Sequence, residues 1–128
     1  MIRVSLPYPV RILWPNGRGN HHSKASATRN HRKWANYAVM EEGSNWRAFS
    51  HDGESLIPVH IAVYARASGP LPDPTNVGHA AKAYLDGIAD RLEVNDKFFA
   101  APTVSFGRPR DGRFIITIGE APCLNPPQ

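Results

Sequence analysis

Hydrophobic and polar positions change their period several times along this chain, and each change marks an element. Residues 2–6 alternate, with Ile2, Val4 and Leu6 on one side and Arg3 and Ser5 on the other. This predicts a short strand, ended by Pro7 and Pro9. From Pro15 to Ala27 the chain is rich in Gly, Asn, His and Ser and has no apolar period, so residues 15–27 are expected to form a mobile, basic loop. Ser26 or Thr28 is placed to cap a helix from Arg29 to Glu42, which would bury Trp34, Tyr37 and Ala38 and stop at Gly43. Residues 44–50, with Trp46 and Phe49, suggest one further turn.

The segment Ile57–Arg66 alternates at period two, with Ile57, Val59, Ile61, Val63 and Ala65 on one face, and predicts the strongest strand of the chain. A helix from Thr75 to Leu92 follows. At 100° per residue, Val77, Ala80, Ala81, Tyr84, Leu85 and Ile88 share one side, and His79, Lys82, Asp86 and Asp90 form a stripe opposite. Residues 102–106 and 113–118 read as two strands joined as a hairpin by Gly107–Gly112, whose tip carries Arg108, Arg110 and Arg113. The resulting β-α-β-α-β-β order predicts a single α+β domain over residues 1–128, with a mixed sheet, two main helices on one of its faces and a frayed tail at 121–128.

Charge changes this picture more than composition does. An apolar fraction of 41% and a charged fraction of 20% are those of an ordinary globular domain. The net charge of +4 hides an asymmetry: residues 1–40 hold seven Lys/Arg and no Asp or Glu, and all eleven acids lie at or beyond Glu41. A basic N-terminal part of this kind suits a polyanion, because Lys and Arg bind nucleic acid largely by releasing condensed counterions. Arg18, Lys24, Arg29, Arg32 and Lys33 are the candidate phosphate contacts, with Arg108 and Arg110 added by the hairpin tip. The single cysteine, Cys123, forms no disulfide framework, the N-terminus lacks the apolar run of a signal peptide and no apolar run has membrane length. A cytoplasmic protein without a membrane partner is therefore expected.

The acids that follow carry the candidate chemistry. Metal-assisted phosphodiester hydrolysis needs carboxylates that hold Mg²⁺ beside the scissile phosphate. Asp73 precedes a helix and Pro74, where the simpler reading is an N-cap, and Asp96 follows Asn95 in a polar loop, where the simpler reading is a solvated turn. Trp34 and Trp46 are candidates for stacking on exposed bases, although a Trp at helical spacing more often faces the core. His21, His22 and His31 lack paired ligand spacing for zinc and fit better as donors on a nucleic-acid surface. Gly17-Arg-Gly19 is too short for a phosphate loop, so no nucleotide cofactor is expected, and no Ser or Cys stands in a recognisable nucleophile setting.

Asp73-Pro-Thr-Asn76, then Lys82 with Asp86 four residues later, then Asn95-Asp96, together with the opening Val4-Ser-Leu-Pro-Tyr-Pro9, resemble the pattern of the RusA-type Holliday junction resolvases. These are small, dimeric, Mg²⁺-dependent endonucleases common in phages and prophages. The resemblance spans about residues 2–120. It implies that Asp73 and Asp96 are metal ligands, that Lys82 contacts phosphate or the transition state and that Asn76 supports the loop, with Mn²⁺ a plausible substitute for Mg²⁺. Two departures stand out. Thr75 replaces the second Asp of the first motif, and about three extra residues precede Lys82, so His79 competes with it for the basic role. Asp86 has a structural alternative, an i,i+4 pair with Lys82.

A length argument bears on the two acids. A helix of roughly fifteen residues spans about 22 Å, and the six residues 91–96 return at most about 20 Å. Either the helix is shorter, the link doubles straight back, or Asp96 completes a partner's site. The last option suits a homodimer acting on a four-way junction, whose two equivalent strands match two-fold symmetry. The expected function is thus Mg²⁺-dependent cleavage of Holliday junctions or other branched DNA in recombination or repair. The alternative is a non-catalytic, basic DNA-binding dimer.

Overall fold

In the computed structural model, which describes residues 1–42 and 46–119, the apolar alternation of Ile57–Ala65 becomes the spine of a four-stranded sheet. The elements run β1 (Ile2–Pro7), α1 (His21–Glu42), β2 (Val59–Tyr64), α2 (Pro74–Ala80), α3 (Lys82–Leu92), β3 (Thr103–Phe106) and β4 (Arg113–Ile118), with short 3-10 turns at Arg11–Leu13, Trp46–Ala48 and Asp96–Phe98. The sheet order is β1-β4-β2-β3. β4 lies antiparallel to both β1 and β2, whereas β3 lies parallel to β2 and is reached through α2 and α3. The molecule is a small α+β domain with a mixed sheet.

One face of the sheet is the core. Ile2, Val4 and Leu6 of β1, Ile61 and Val63 of β2, and Phe114, Ile116 and Ile118 of β4 meet Ala35 and Val39 of α1 and Tyr84, Leu85 and Ile88 of α3. Both amphipathic readings hold here, because residues at period two and at period 3.6 find each other across one interface. The other face carries Arg3, Ser5, His60, Ala62, Tyr64, Ile115 and Thr117. There the buried His60 bridges the parallel pair through Thr103 Oγ1 at 2.7 Å and Ser105 Oγ at 2.8 Å.

Four expectations need correction. The first helix starts at His21, so the basic loop ends at Asn20, whose Oδ1 accepts from Ser23 N at 2.8 Å and caps the helix in place of Ser26 or Thr28. Thr28 instead donates to Lys24 O, one turn back. The buried face of α1 is His31, Ala35, Ala38 and Val39, and Trp34 and Tyr37 are 42% and 45% exposed. Small residues won the inner face because α1 lies against α3 at close range. The second helix is broken at Ala81 into α2 and α3. Finally, β3 and β4 form no hairpin: β2 lies between them, and residues 107–112 cross over its end, held by Gly107 N to Val63 O and Gly112 N to Ala65 O. Strand pairing is a tertiary choice that turn chemistry at Gly107–Gly112 does not specify. The stop expected at Gly43, Cys123 and the tail 121–128 lie outside the described residues.

The two long helices approach closely at Gly87, where a Cβ would stand 2.0 Å from Arg32 O and 3.0 Å from Ala35 Cβ. In an exposed helix Gly→Ala gains about 1 kcal/mol, but forcing a methyl into a packed site typically costs about 1–3 kcal/mol or more. The obstacle is backbone, which yields least, so Gly87→Ala is expected to lower stability by a net of about 2 kcal/mol in urea or thermal unfolding. A stabilised variant would contradict this packing.

Candidate active site

The chain reversal after α3 builds the acidic site. Glu93 adopts the left-handed conformation (φ 56°, ψ 45°), its N–H bonds Asp90 O, and Val94 N bonds Ala89 O at 3.1 Å. These two bonds form a Schellman end, usually made with Gly, which turns the chain back along the helix it has just left. Asn95 Oδ1 then accepts from Lys97 N at 2.9 Å and opens the turn Asp96–Phe98. Two of the three expected routes apply within this chain: the helix is shorter, broken at Ala81, and the link after it doubles straight back. It carries Asp96 to the middle of α3 rather than to Asp73.

There, two carboxylates converge on one ammonium. Lys82 Nζ lies 2.9 Å from Asp86 Oδ1 and 3.2 Å from Asp96 Oδ2. One turn further, Asp90 is held by Arg32 of α1 through two bonds, Nε to Oδ2 at 2.6 Å and Nη2 to Oδ1 at 2.8 Å. Asp86 is the least exposed of the acids, its side chain only 19% accessible, while that of Asp96 is 44% accessible. Burial pushes the Asp86 carboxyl above the ordinary carboxylate range, and neighbouring Asp96 adds to the effect against the opposing pull of Lys82. Asp96 is lowered, first by hydrogen bonding from Asp86 and then by Lys82. The two acids are thereby separated into one that holds its proton longer and one that stays ionised. Lys82 is raised above its usual range, chiefly by its bond to Asp86.

Two clefts meet at Asp86. One, of about 270 Å³, is lined by Arg32, Asp90, Asn95 and Asp96 among others. The other, of about 370 Å³, is lined by Lys24, Thr28, His79 and Lys82 among others. His79 and Lys82 thus share a cleft, and only Lys82 bonds the carboxylates. Asp73 lines neither. Its Oδ1 accepts from Thr75 N at 2.8 Å and caps α2, with Pro74 in the first turn, as the simpler reading of that residue has it. Asn76 lies in the same first turn. Asp86 lies thirteen residues beyond Asp73, with the break at Ala81 between α2 and α3 along the way.

Among the described residues no group of three or more His, Cys, Asp or Glu converges as a metal site. The Asp86–Asp96 pair nevertheless has the donor chemistry of a hard cation, because oxygens from two carboxylates already meet at a single positive centre. Mg²⁺ commonly takes one or two carboxylates and keeps several waters, so this pair fits it.

The basic residues divide into occupied and free ones. Arg32 is spent on Asp90, and Arg110 Nη2 donates to Gly69 O at 2.8 Å, tying residues 107–112 to the loop before α2. Lys33 lies over the Tyr37 ring with its ammonium 5.8 Å from the centroid. Arg18, Lys24, Arg29 and Arg108 are exposed. The Arg32–Asp90 pair escaped sequence reasoning, since only the helix crossing brings positions 58 residues apart together. The stripe Lys82, Asp86 and Asp90 was the available signal for its acidic half.

Lys82 is two-thirds exposed, so its bridging is worth no more than about 1 kcal/mol. The lowered Asp96 contributes stability that is present above the ordinary carboxylate range and lost as the pH falls through it. Lys82→Met is therefore expected to lower the melting temperature near pH 7, with the gap to wild type closing below about pH 4 as the carboxylates protonate. A gap that is constant with pH would separate Lys82 from the pair.

No protein-family model matches the chain. It is 31% identical over 119 residues to an uncharacterized protein of Xylella fastidiosa (strain Temecula1), an alignment that covers 92% of this chain and 76% of the relative. At that identity and coverage, the chain belongs to the same family as the Xylella protein.

Proposed function

We propose that the protein is a Mg²⁺-dependent, structure-specific endonuclease of the RusA type that cleaves branched DNA, with Holliday junctions as the leading substrate and recombination or repair as the setting. The observation that carries this reading is the convergence of Asp86 and Asp96 on Lys82 beside a helix whose outer positions include Lys24, Arg29 and Lys33. Asp86 and Asp96 are the residues that would hold the metal. Bound there, Mg²⁺ would supply an activated water and neutralise the leaving oxygen. Lys82, at the rim, neutralises phosphate charge, and the exposed Arg and Lys side chains hold the DNA backbone without reading its bases.

A homodimer belongs to this proposal. In this proposal any part Asp73 plays at the centre comes from a second subunit, because within one chain Asp73 caps α2 and lines neither cleft. A second reading, a non-catalytic basic DNA-binding dimer, is favoured by two features: Lys82 already occupies the point where the two carboxylates converge, and Thr75 stands where the resolvase pattern has a metal-binding Asp.

Incubation of a synthetic four-way junction with Mg²⁺, Mn²⁺ or chelator tests these readings. Symmetric nicks are expected with either metal and none with chelator, and Asp86→Asn or Asp96→Asn should each reduce cleavage at least about 100-fold. Asn caps a helix as well as Asp does, so Asp73→Asn probes a direct role without loosening α2. A centre shared between subunits predicts that mixed dimers of Asp73→Asn and Asp96→Asn regain cleavage at one of two sites. Tight binding with no nicks under any condition would instead establish the non-catalytic reading.

Binding should also weaken steeply with salt. Arg29→Ala and Lys33→Ala are each expected to flatten the log-log salt slope by about one unit, whereas Arg32→Ala, whose charge Asp90 already neutralises, should leave it nearly unchanged. Equal effects of all three would show that the Arg32–Asp90 pair opens on DNA.

A further inference from the structure

Resting on the DNA-binding part of that reading, a second surface offers a site of different chemistry. His31 is 1% exposed and packs between two rings, stacked on Tyr84 at 4.9 Å with 23° between planes and tilted against Trp34 at 4.7 Å with 34°. Every inner member of this run is pinned. Tyr84 Oη donates to Pro7 O at 2.7 Å, His31 Nδ1 donates to Ala27 O at 2.9 Å and His31 Nε2 accepts from Val10 N at 3.2 Å. Burial lowers the imidazole pKa, and Nε2, which accepts from Val10 N, has no room for a proton of its own. At its outer end Trp34 is 42% exposed, a large aromatic face left in water on a helix whose inner face already packs against the sheet.

Beside Trp34 lies an open cleft of about 480 Å³, lined also by Ser23, Ser26, Asn30 and His31. The polar groups in it, the hydroxyls of Ser23 and Ser26, the amide of Asn30 and the imidazole of His22, can donate and accept, which suits the edges of a heterocycle. Arg29 and Lys33 lie on the same helix beside the cleft and the chain holds no acid before Glu41, which favours an occupant that carries or is attached to negative charge. We propose that Trp34 is a stacking platform for an unpaired nucleobase of DNA, which extends the Tyr84–His31–Trp34 run while its phosphates lie against Arg29 and Lys33. A base held there is one displaced from pairing, so the site would favour branched or single-stranded DNA over intact duplex. Trp34 is a binding and specificity residue in this scheme and has no part in the chemistry at Asp86 and Asp96.

The test measures binding in chelator, where cleavage plays no part, with three probes: a single-stranded oligonucleotide, a four-way junction and a blunt duplex of the same length. Loss of one base–aromatic stack should weaken single-strand binding by about tenfold or more in Trp34→Ala. Trp34→Phe should restore most of it, and duplex affinity should change less than about twofold in either variant. Tryptophan fluorescence should be quenched by single strand in wild type and much less in Trp34→Phe, which keeps Trp14 and Trp46. Circular dichroism and melting curves establish that both variants remain folded. Equal weakening on all three probes, or no weakening on the single strand, would overturn the stacking site while leaving the nuclease proposal standing. Absence of metal-dependent nicking with these binding differences intact would do the reverse.

Discussion

The close crossing of α1 and α3 at Gly87 is the constraint from which the rest of the arrangement follows. With no side chain at that point, the Arg32 carbonyl occupies the space a Cβ would need, and the two helices lie in backbone contact over the sheet. This proximity forces small residues, Ala35 and Ala38, onto the inner face of α1 and turns its aromatic residues, Trp34 and Tyr37, outward. It also places Arg32 within reach of Asp90, so that a bidentate ion pair bolts the basic helix to the acidic one. A helix free of acids before its last turn thereby stands beside the only concentrated carboxylates of the described residues near it, Asp86, Asp90 and Asp96.

That juxtaposition is electrostatically tense, and the molecule resolves it locally. Asp90 is matched by Arg32, and Asp86 and Asp96 share Lys82. The second balance, two acids to one ammonium, is incomplete, and burial, with Asp96 beside it, displaces the Asp86 carboxyl upward. An anionic pair that is partly buried and under-neutralised is a place where a further cation gains more than it would at the open surface. The same helix turns its free cations outward, towards a polyanion, so attraction for DNA and attraction for a metal arise on neighbouring surfaces without cancelling.

Much of the architecture was legible along the chain. Ile57, Val59, Ile61, Val63 and Ala65 are all buried, as are Val77, Ala80, Ala81, Tyr84, Leu85 and Ile88, because burial of one face is a local consequence of period. Lys82 and Asp86 pair at the i,i+4 spacing that their positions already implied. Helix starts were less legible: a polar stretch such as His21–Thr28 carries no apolar period, yet it continues the helix because Asn20 caps it and nothing in it breaks it. Trp34 was unreadable for a related reason, since which side of α1 is inner depends on how near α3 comes.

What the sequence determined by itself is the α+β class, the faces of β2 and of the second helix, the concentration of positive charge ahead of Glu41 and the stripe of Lys82, Asp86 and Asp90. These follow from side chains counted along one dimension. Tertiary structure alone decided that β4 pairs with β1 and β2 rather than with β3, that Asp96 meets Asp86 and Lys82, and that Arg32 is consumed by Asp90. Each depends on a contact between distant segments: the left-handed Glu93 turns Asp96 back along α3, and the missing side chain at Gly87 lets Arg32 come up to Asp90, geometric effects that no residue count along the chain contains.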